Sequence, residues 1–235
     1  MQTVTRVNSN MWRRTQSGLL APSRMKVPPN GLVLYAPLWH PELAGSPFIS
    51  KDLNAHSCTV TGAIWTPQGR TFKGDDYIRV ATFTGQPTGN APFSAMGWVK
   101  FDSLAANGVM LSFGVDSASP TAYGIYYNNA TNRLTTAFSA GNGACVSTNA
   151  PSTGVWYFIA GVSNSATNKI FVNGIEEQSV AYALGNLTAG VFAVGAWVQL
   201  GSKMSGTVGE AFTYNRALTP AEIMNKYLIT RWRYV

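Results

Sequence analysis

The stretch that decides the fold is VWYFIAGVSNSATNKIFVNGIEEQSV, residues 155–180. Its first part, VWYFIA, is apolar at successive positions, which is typical of a strand that is covered on both faces. Its second part, KIFVNGIEEQSV, carries Asn173-Gly174 between two short runs, and this pair supplies the positive φ angles of a type I′ turn. The stretch therefore predicts a central strand followed by a β-hairpin, in a sheet with a buried interior.

Similar short runs fill the chain from Gly31 onward, between clusters of Gly, Asn, Ser and Pro. They read LVLYAPLW, CTVTGAIW, YIRVATF, SAMGWVKF, VMLSFGV, YGIYYN, RLTTAFSA, GVFAVGAW and GEAFTYN. About eleven strands at this spacing predict an all-β protein, an antiparallel sandwich of two sheets or a jelly roll. Charged residues make up 11% of the chain, against roughly 25% in an ordinary soluble domain, which favours strands and turns over amphipathic helices.

One helix is predicted, in the segment LTPAEIMNKYLITRWRYV near the C-terminus. Thr219 is a suitable N-cap, Pro220 fits the first helical position, and Glu222 completes a capping box. Ile223 and Tyr227 then lie one turn apart on a single face. We expect a helix over about 219–231 that packs on the edge of the sandwich.

Residues 1–30 form a different kind of segment, because they carry five cations and no acid and show no lasting periodicity. The last ten residues carry three more cations, and the part between is about neutral. We expect residues 1–30 to be an extended basic arm and residues 31–235 to be the sandwich. An arm that orders on a partner must bury apolar groups and use its arginines for paired hydrogen bonds. The candidate anchoring residues are Trp12, Arg13, Arg14, Leu19, Leu20 and Arg24.

Several blocks resemble a known family, in the order GRTFKGDDYIRV, FSAMGWVKF, GVWYFIAGVSN, NKIFVNGIEEQS and GTVGEAFTYNRALTPAEI. They are similar to the successive blocks of laminin G-like domains of the concanavalin A-like lectin and glucanase superfamily, over about residues 31–228. The resemblance implies two antiparallel sheets in a jelly-roll sandwich, and usually a binding module. The segment GLVLYAPLWHPEL after a basic arm also resembles phage-borne versions of this domain.

The resemblance also implies where a metal would be. Some relatives hold calcium with acids near the FKGDDYI block and with an acid at the position of Glu210. Asp75, Asp76 and Glu210 could supply some of the six to eight oxygens that calcium takes. However, Lys73 stands where the family has its first acid, and its charge opposes a cation. We expect no metal and no cofactor.

The chain offers little for catalysis. The related glucanases carry a Glu-x-Asp-x-x-Glu run, which is absent here, and Glu176-Glu177 are adjacent, so they point to opposite faces of a strand. The two histidines, His40 and His56, lie in a loop-rich region, and no Gly-x-Ser-x-Gly motif occurs. We expect that the protein is not an enzyme.

Cys58 and Cys145 are far apart and without a metal-ligand pattern, which predicts two free buried thiols. The residues after Met1 are polar, and no apolar run approaches the length of a membrane span. We therefore expect no signal peptide, no membrane partner, and synthesis in a host cytoplasm.

Sugars are bound by aromatic faces and by neutral hydrogen-bonding groups in a largely preformed site. The candidate ligand-binding residues are Trp39, Tyr126, Tyr127 and Trp197, although aromatic residues on strands are more often core. The asparagines that follow Tyr127 are most simply interpreted as turn formers.

The function that the sequence favours is a phage virion accessory protein, a capsid decoration or tail-associated module anchored by residues 1–30 and able to bind host or cell-surface glycans. Its partners would be neighbouring virion subunits, and we expect a homo-oligomer. The alternative is a free, lectin-like carbohydrate-binding module. Nucleic acid is not an expected partner of the sandwich, because the body of the chain is about neutral. A third and lesser hypothesis is that the basic arm binds nucleic acid within a capsid, and its five cations would then give a steep salt dependence of binding.

Overall fold

The computed structural model describes residues 30–115 and 120–235. Within these ranges the chain forms sixteen strands and one α-helix. The strands are β1 (Leu32–Pro37), β2 (Phe48–Ile49), β3 (Ser57–Thr61), β4 (Ile64–Thr66), β5 (Gly69–Lys73), β6 (Tyr77–Val80), β7 (Phe93–Phe101), β8 (Gly108–Gly114), β9 (Ala122–Asn128), β10 (Arg133–Phe138), β11 (Cys145–Val146), β12 (Trp156–Ser163), β13 (Thr167–Val172), β14 (Ile175–Ala181), β15 (Val191–Val194) and β16 (Ser205–Tyr214). The helix α1 spans Pro220–Thr230.

The strands form two antiparallel sheets of eight strands each. Sheet I has the order β14-β13-β12-β7-β16-β5-β4, with β1 also paired to β16. Sheet II has the order β11-β10-β9-β8-β15-β6-β3-β2. The sandwich of two antiparallel sheets that the sequence predicts is therefore confirmed.

The main core lies between the sheets and is rich in aromatic side chains. Phe93 from sheet I meets Tyr123 of sheet II edge-on, with ring centroids 4.6 Å apart. Phe93 also meets Phe113 at 5.4 Å. Burying each such side chain contributes about 1.5–3 kcal/mol, and edge-to-face pairs add to that.

A second hydrophobic cluster covers the outer face of sheet I, beneath α1. It includes Trp98, Phe158, Phe212 and Ile223, all of which are fully buried. Helix α1 thus packs on a face of the sandwich, which corrects the expectation that it packs on the edge. The predicted capping box of Thr219 and Glu222 is present.

The decisive stretch folds as its pattern predicts. Strand β12 contributes Trp156 and Phe158 to the cluster under α1 and Ile159 to the main core, so both of its faces are covered. The β13–β14 hairpin pairs Val172 with Ile175. Between them, Asn173 and Gly174 have φ angles of 51° and 84°, as a type I′ turn requires.

Other strands do not follow the sequence-based reading. The run CTVTGAIW forms two strands in different sheets, since β3 belongs to sheet II and β4 to sheet I. The chain changes sheet at Gly62, which has φ +76° and leaves room for Asp76, whose Oδ1 lies 1.8 Å from where a Cβ atom would be. Strands β2, β5 and β11 have no apolar run of their own and were not predicted.

Both cysteines, Cys58 and Cys145, are free and buried, which confirms the prediction from their number and spacing. Among the helices of the described ranges, none has the length and apolar character needed to cross a membrane.

Candidate functional site

The candidate site lies on the outer face of sheet II and is set by the alternation of side chains along β9. Tyr123, Ile125 and Tyr127 point inward and belong to the main core. Because successive side chains of a strand point to opposite faces, Gly124 and Tyr126 face outward. The outward positions therefore hold one residue without a side chain beside one aromatic ring.

Trp197 occupies the space that Gly124 leaves. It comes from the loop after β15, which folds back on itself through hydrogen bonds from Trp197 N to Gly201 O at 2.9 Å and from Met204 N to Gly195 O at 2.9 Å. Ser112 Oγ, on the neighbouring β8, donates to Ala196 O at 2.9 Å and ties this loop to the sheet. A Cβ atom at Gly124 would lie 2.2 Å from Trp197 Cζ3. The indole can rest on β9 only because position 124 is glycine.

Tyr126 and Trp197 meet nearly at a right angle, with ring centroids 6.3 Å apart and an interplanar angle of 85°. Both side chains are half-buried. Together they form part of a pocket of about 180 Å³. The remaining residues that line it are Asn107, Val109, Phe138, Ala140, Gly141 and Ser202.

The polar groups of the pocket are neutral. Asn107 Oδ1 accepts a hydrogen bond from Asn129 N at 2.9 Å, which fixes the orientation of the amide and leaves its nitrogen for a ligand. Burial raises the pKa of the Tyr126 phenol, and a hydrogen bond from the Asn128 side chain opposes this shift in part. The phenol therefore stays protonated at neutral pH and can donate a hydrogen bond.

The structure brings two of the four predicted ligand-binding residues together, Tyr126 and Trp197. Tyr127 points into the core with 3% of its surface exposed, and its hydroxyl donates to Asn132 Oδ1 at 3.0 Å. Trp39 packs against the cluster under α1, and the Arg233 guanidinium lies 3.4 Å from its ring centroid. Neither residue lines the pocket.

The predicted anchoring residues lie outside the described residues. They are Trp12, Arg13, Arg14, Leu19, Leu20 and Arg24.

The acids that the family resemblance places around calcium do not form a shared site among the described residues. Asp76 Oδ2 accepts from Lys73 N at 2.9 Å and closes a turn. Glu210 is buried on sheet I, where the Tyr234 hydroxyl donates to it at 3.1 Å and the Tyr35 hydroxyl at 3.4 Å. Burial raises the pKa of Glu210, and the Tyr234 hydrogen bond lowers it in part. Within residues 30–115 and 120–235, no group of three or more His, Cys, Asp or Glu residues is placed to hold a metal ion.

Sequence reasoning missed the residues that give the pocket its shape. Gly124, Asn107 and Ser202 carried no recognisable motif. The one available signal was the small residue at position 124, two positions before Tyr126 on the same predicted face, which indicates that another group approaches the strand closely.

Comparison with known proteins identifies a family that the sequence matches. A laminin G family model, described as the concanavalin A-like lectin/glucanases superfamily, matches residues 72–224. No curated protein matches the sequence.

Solved structures share the fold at low sequence identity. Trypanosoma rangeli sialidase in complex with sialic acid superposes with a TM-score of 0.68 and 17% identity, over 86% of this chain and 33% of the sialidase. Domain 4 of AbnA, a GH43 extracellular arabinanase from Geobacillus stearothermophilus solved with arabinotriose, has a TM-score of 0.61 and 18% identity, over 83% and 97% of the two chains. The receptor binding domain of botulinum neurotoxin C/D mosaic serotype has a TM-score of 0.66 and 12% identity, over 85% and 51%. The chain thus spans about a third of the sialidase.

These neighbours correct the expectation that the protein is not an enzyme. The fold is shared by enzymes and non-enzymes, since it occurs in a sialidase, in a domain of a GH43 arabinanase and in the receptor binding domain of a neurotoxin. Absence of a Glu-x-Asp-x-x-Glu run excludes only the glucanase type of carboxylate pair, and sialidases depart from that mechanism. A missing carboxylate pair is therefore not evidence against catalysis on this fold.

The match of the family model over residues 72–224 agrees with the two antiparallel sheets and the C-terminal helix. The chain belongs to the concanavalin A-like lectin/glucanase superfamily.

Proposed function

We propose that this domain binds carbohydrate in the pocket formed by Tyr126 and Trp197. The observation that carries the proposal is the perpendicular pair of half-buried rings beside neutral amide and hydroxyl groups. A sugar ring presents an apolar C–H surface and several hydroxyls, and sites that hold it combine aromatic walls with a few placed polar groups. The two rings would flank the C–H surface, while Asn107 and Ser202 would meet the hydroxyls.

Two neighbours support this proposal. The arabinanase domain was solved with arabinotriose and the sialidase with sialic acid. Both are similar to this chain in fold alone, so they support the class of ligand and leave the sugar and the site open.

Binding of a full-length sample to a glycan microarray, followed by calorimetry on the best ligand, tests the proposal. A site that contacts a single sugar ring should bind it with a monovalent Kd of about 0.1–1 mM. Trp197→Ala should weaken binding at least tenfold, which corresponds to about 1.4 kcal/mol. Tyr126→Ala provides a second variant in case the loop after β15 collapses, and circular dichroism checks that both fold.

The matched control is Trp232→Ala. Trp232 is 63% exposed and lies in the turn after α1, on the side of sheet I. Its removal should leave glycan binding unchanged. The proposal fails if no glycan binds, or if Trp197→Ala binds as well as the unaltered chain.

From the sequence we also propose that residues 1–30 anchor the domain to a virion, as a capsid decoration or tail-associated protein. The support is the concentration of five cations without an acid in this segment, next to a nearly neutral body. Deletion of residues 1–30 should abolish attachment to particles and leave glycan binding intact. Full occupancy of particles by the shortened chain would contradict the anchor and favour a free lectin-like module.

A further inference from the structure

We propose that the Tyr126–Trp197 pocket accepts a neutral sugar ring and rejects acidic sugars such as sialic and uronic acids. This inference rests on the carbohydrate-binding function proposed above and defines the chemical class of its ligand. It differs from the ligand that the sialidase neighbour would suggest, because that structure holds sialic acid, an acidic sugar.

The described residues that line the pocket carry no charge. Its hydrogen-bonding side chains are an amide, Asn107, a hydroxyl, Ser202, the protonated phenol of Tyr126 and the indole N–H of Trp197, all of them neutral. These groups match the hydroxyls of a neutral sugar, each of which both donates and accepts. A carboxylate needs a cation or several N–H donors for comparable stabilisation.

The nearest cations along the chain are directed to other groups. Lys203 follows Ser202, but its ammonium lies 5.7 Å from the centroid of the Tyr77 ring. Tyr77 is on β6, which is separated from β9 by β8 and β15 in the order of sheet II. Arg133 pairs with Asn128 across the strands, yet its Nη1 donates to Asn132 O at 2.9 Å. An acidic sugar would therefore meet no charged side chain in the lining of the pocket.

The energetic consequence is a difference between two sugars of the same shape. A carboxylate that enters a half-buried pocket loses hydration and gains no ion pair, so its cost exceeds that of a neutral hydroxymethyl group. Discrimination arises because the pocket disfavours the competitor, without any additional contact to the preferred sugar.

The pocket also limits the size of the ligand. Its volume of about 180 Å³ is below the roughly 300–1,000 Å³ of pockets that enclose drug-sized ligands. It fits a single ring, with the remainder of an oligosaccharide outside.

Matched pairs of sugars test the inference directly. The probes are methyl galactoside against methyl galacturonate, methyl glucoside against methyl glucuronate, and the methyl ester of methyl sialoside against methyl sialoside itself, each titrated into the full chain by NMR. In any pair that binds, we expect the Kd of the neutral sugar to be at least tenfold lower than the Kd of its acidic partner. Equal or tighter binding of the acidic member overturns the inference and leaves the proposed function standing. Failure of every probe and of a broad glycan array overturns both.

A charge placed in the pocket gives a second, independent test. Ser202→Lys should reduce the neutral preference at least threefold by adding a cation, with an effect that weakens as salt is raised. Ser202→Met removes the same hydroxyl and adds a side chain of similar length without charge, so it should weaken the neutral and the acidic member alike and leave the ratio of their affinities unchanged. If Ser202→Lys and Ser202→Met give the same ratio of affinities, charge does not set the selectivity and the inference is wrong.

Discussion

The outer faces of the two sheets are used in opposite ways. The outer face of sheet I is covered by α1 and carries fully buried aromatic residues, Trp98 among them, together with a buried acid and a buried amine. The outer face of sheet II carries the Tyr126–Trp197 pocket, which is half-open to solvent and combines two aromatic rings with uncharged polar groups. Similar aromatic side chains therefore act as core on one face and as a candidate binding surface on the other. What differs is whether the chain supplies its own cover.

The largest expected effect belongs to the covered face. Trp98 is fully buried, stacks on Tyr234 with centroids 4.5 Å apart, and donates its indole N–H to Thr230 Oγ1 at 2.7 Å. Trp98→Ala should lower the free energy of unfolding by about 3–5 kcal/mol, measured by chemical denaturation. The exposed control Trp232→Ala should stay within about 0.5 kcal/mol of the unaltered chain. A loss below 1 kcal/mol for Trp98→Ala would show that the covered face is not a core.

The buried amine on the same face gives the next largest effect. The Lys226 ammonium lies 4.7 Å from the Phe212 ring centroid and has no hydrogen-bond partner among the described residues. Burial lowers the pKa of Lys226 to about 7, and the charge of Glu210 opposes this shift. Between this value and the ordinary pKa near 10.5, the unfolded chain binds one more proton than the folded chain, so this group makes stability rise with pH.

Lys226→Met isolates that contribution. The difference in unfolding free energy between the unaltered chain and the variant should shift by about 1 kcal/mol per pH unit from pH 7 to 9, in favour of the unaltered chain. Leu228→Met, at an exposed and uncharged position of the same helix, serves as control and should show no such trend. A difference that is constant with pH would mean that the amine keeps its ordinary pKa.

On the open face, Gly124→Ala sharpens the comparison. The new Cβ would lie 2.2 Å from Trp197 Cζ3, so the indole must move away from β9. We expect this to lower the free energy of unfolding by about 1–3 kcal/mol. Sugar binding should fall about as far as in Trp197→Ala. Gly45→Ala meets only the Pro47 carbonyl at 3.8 Å and should change neither property. Unaltered binding in Gly124→Ala would separate the indole position from ligand recognition.

The smallest effect concerns a buried histidine away from both faces. His56 Nδ1 lies 3.3 Å from Asp52 Oδ1, and Nε2 lies 3.0 Å from Thr84 O. Burial alone would lower the pKa of His56, but the bonds to Asp52 and Thr84 raise it above its ordinary value. Its contribution to stability is full below pH 6.5 and is lost as pH rises through the folded-state pKa. An NMR titration should place its midpoint above 6.5; a midpoint at or below 6.5 would contradict this account.

Much of the fold could be predicted from local pattern. The apolar run of β12, the Asn173-Gly174 turn and the Thr219 capping box each specify their own geometry through short-range physics, and each is present. Strands such as β5 could not be found in this way, because they are stabilised by pairing with β16 and β4 more than by an apolar run of their own. The change of sheet at Gly62 likewise depends on the distant Asp76.

The site was predictable only in part. The sequence indicates Tyr126 and Trp197 as aromatic candidates, but it indicates Tyr127 and Trp39 equally, since composition does not show which face a ring occupies. Strand alternation around Gly124 separates Tyr126 from Tyr127 once the register is known. Trp39 packs against Arg233, far along the chain, and no local pattern encodes that contact.

The central claim is that the open rings of sheet II bind sugar while the covered rings of sheet I do not. The tryptophan indole N–H signals of the full chain report both faces in one NMR titration with the neutral saccharide that gives the strongest array signal. The account predicts a saturable shift of the Trp197 signal with those of Trp98 and Trp156 unmoved. A shift confined to Trp232 or Trp39, or no shift of Trp197 at saturating sugar, would contradict it.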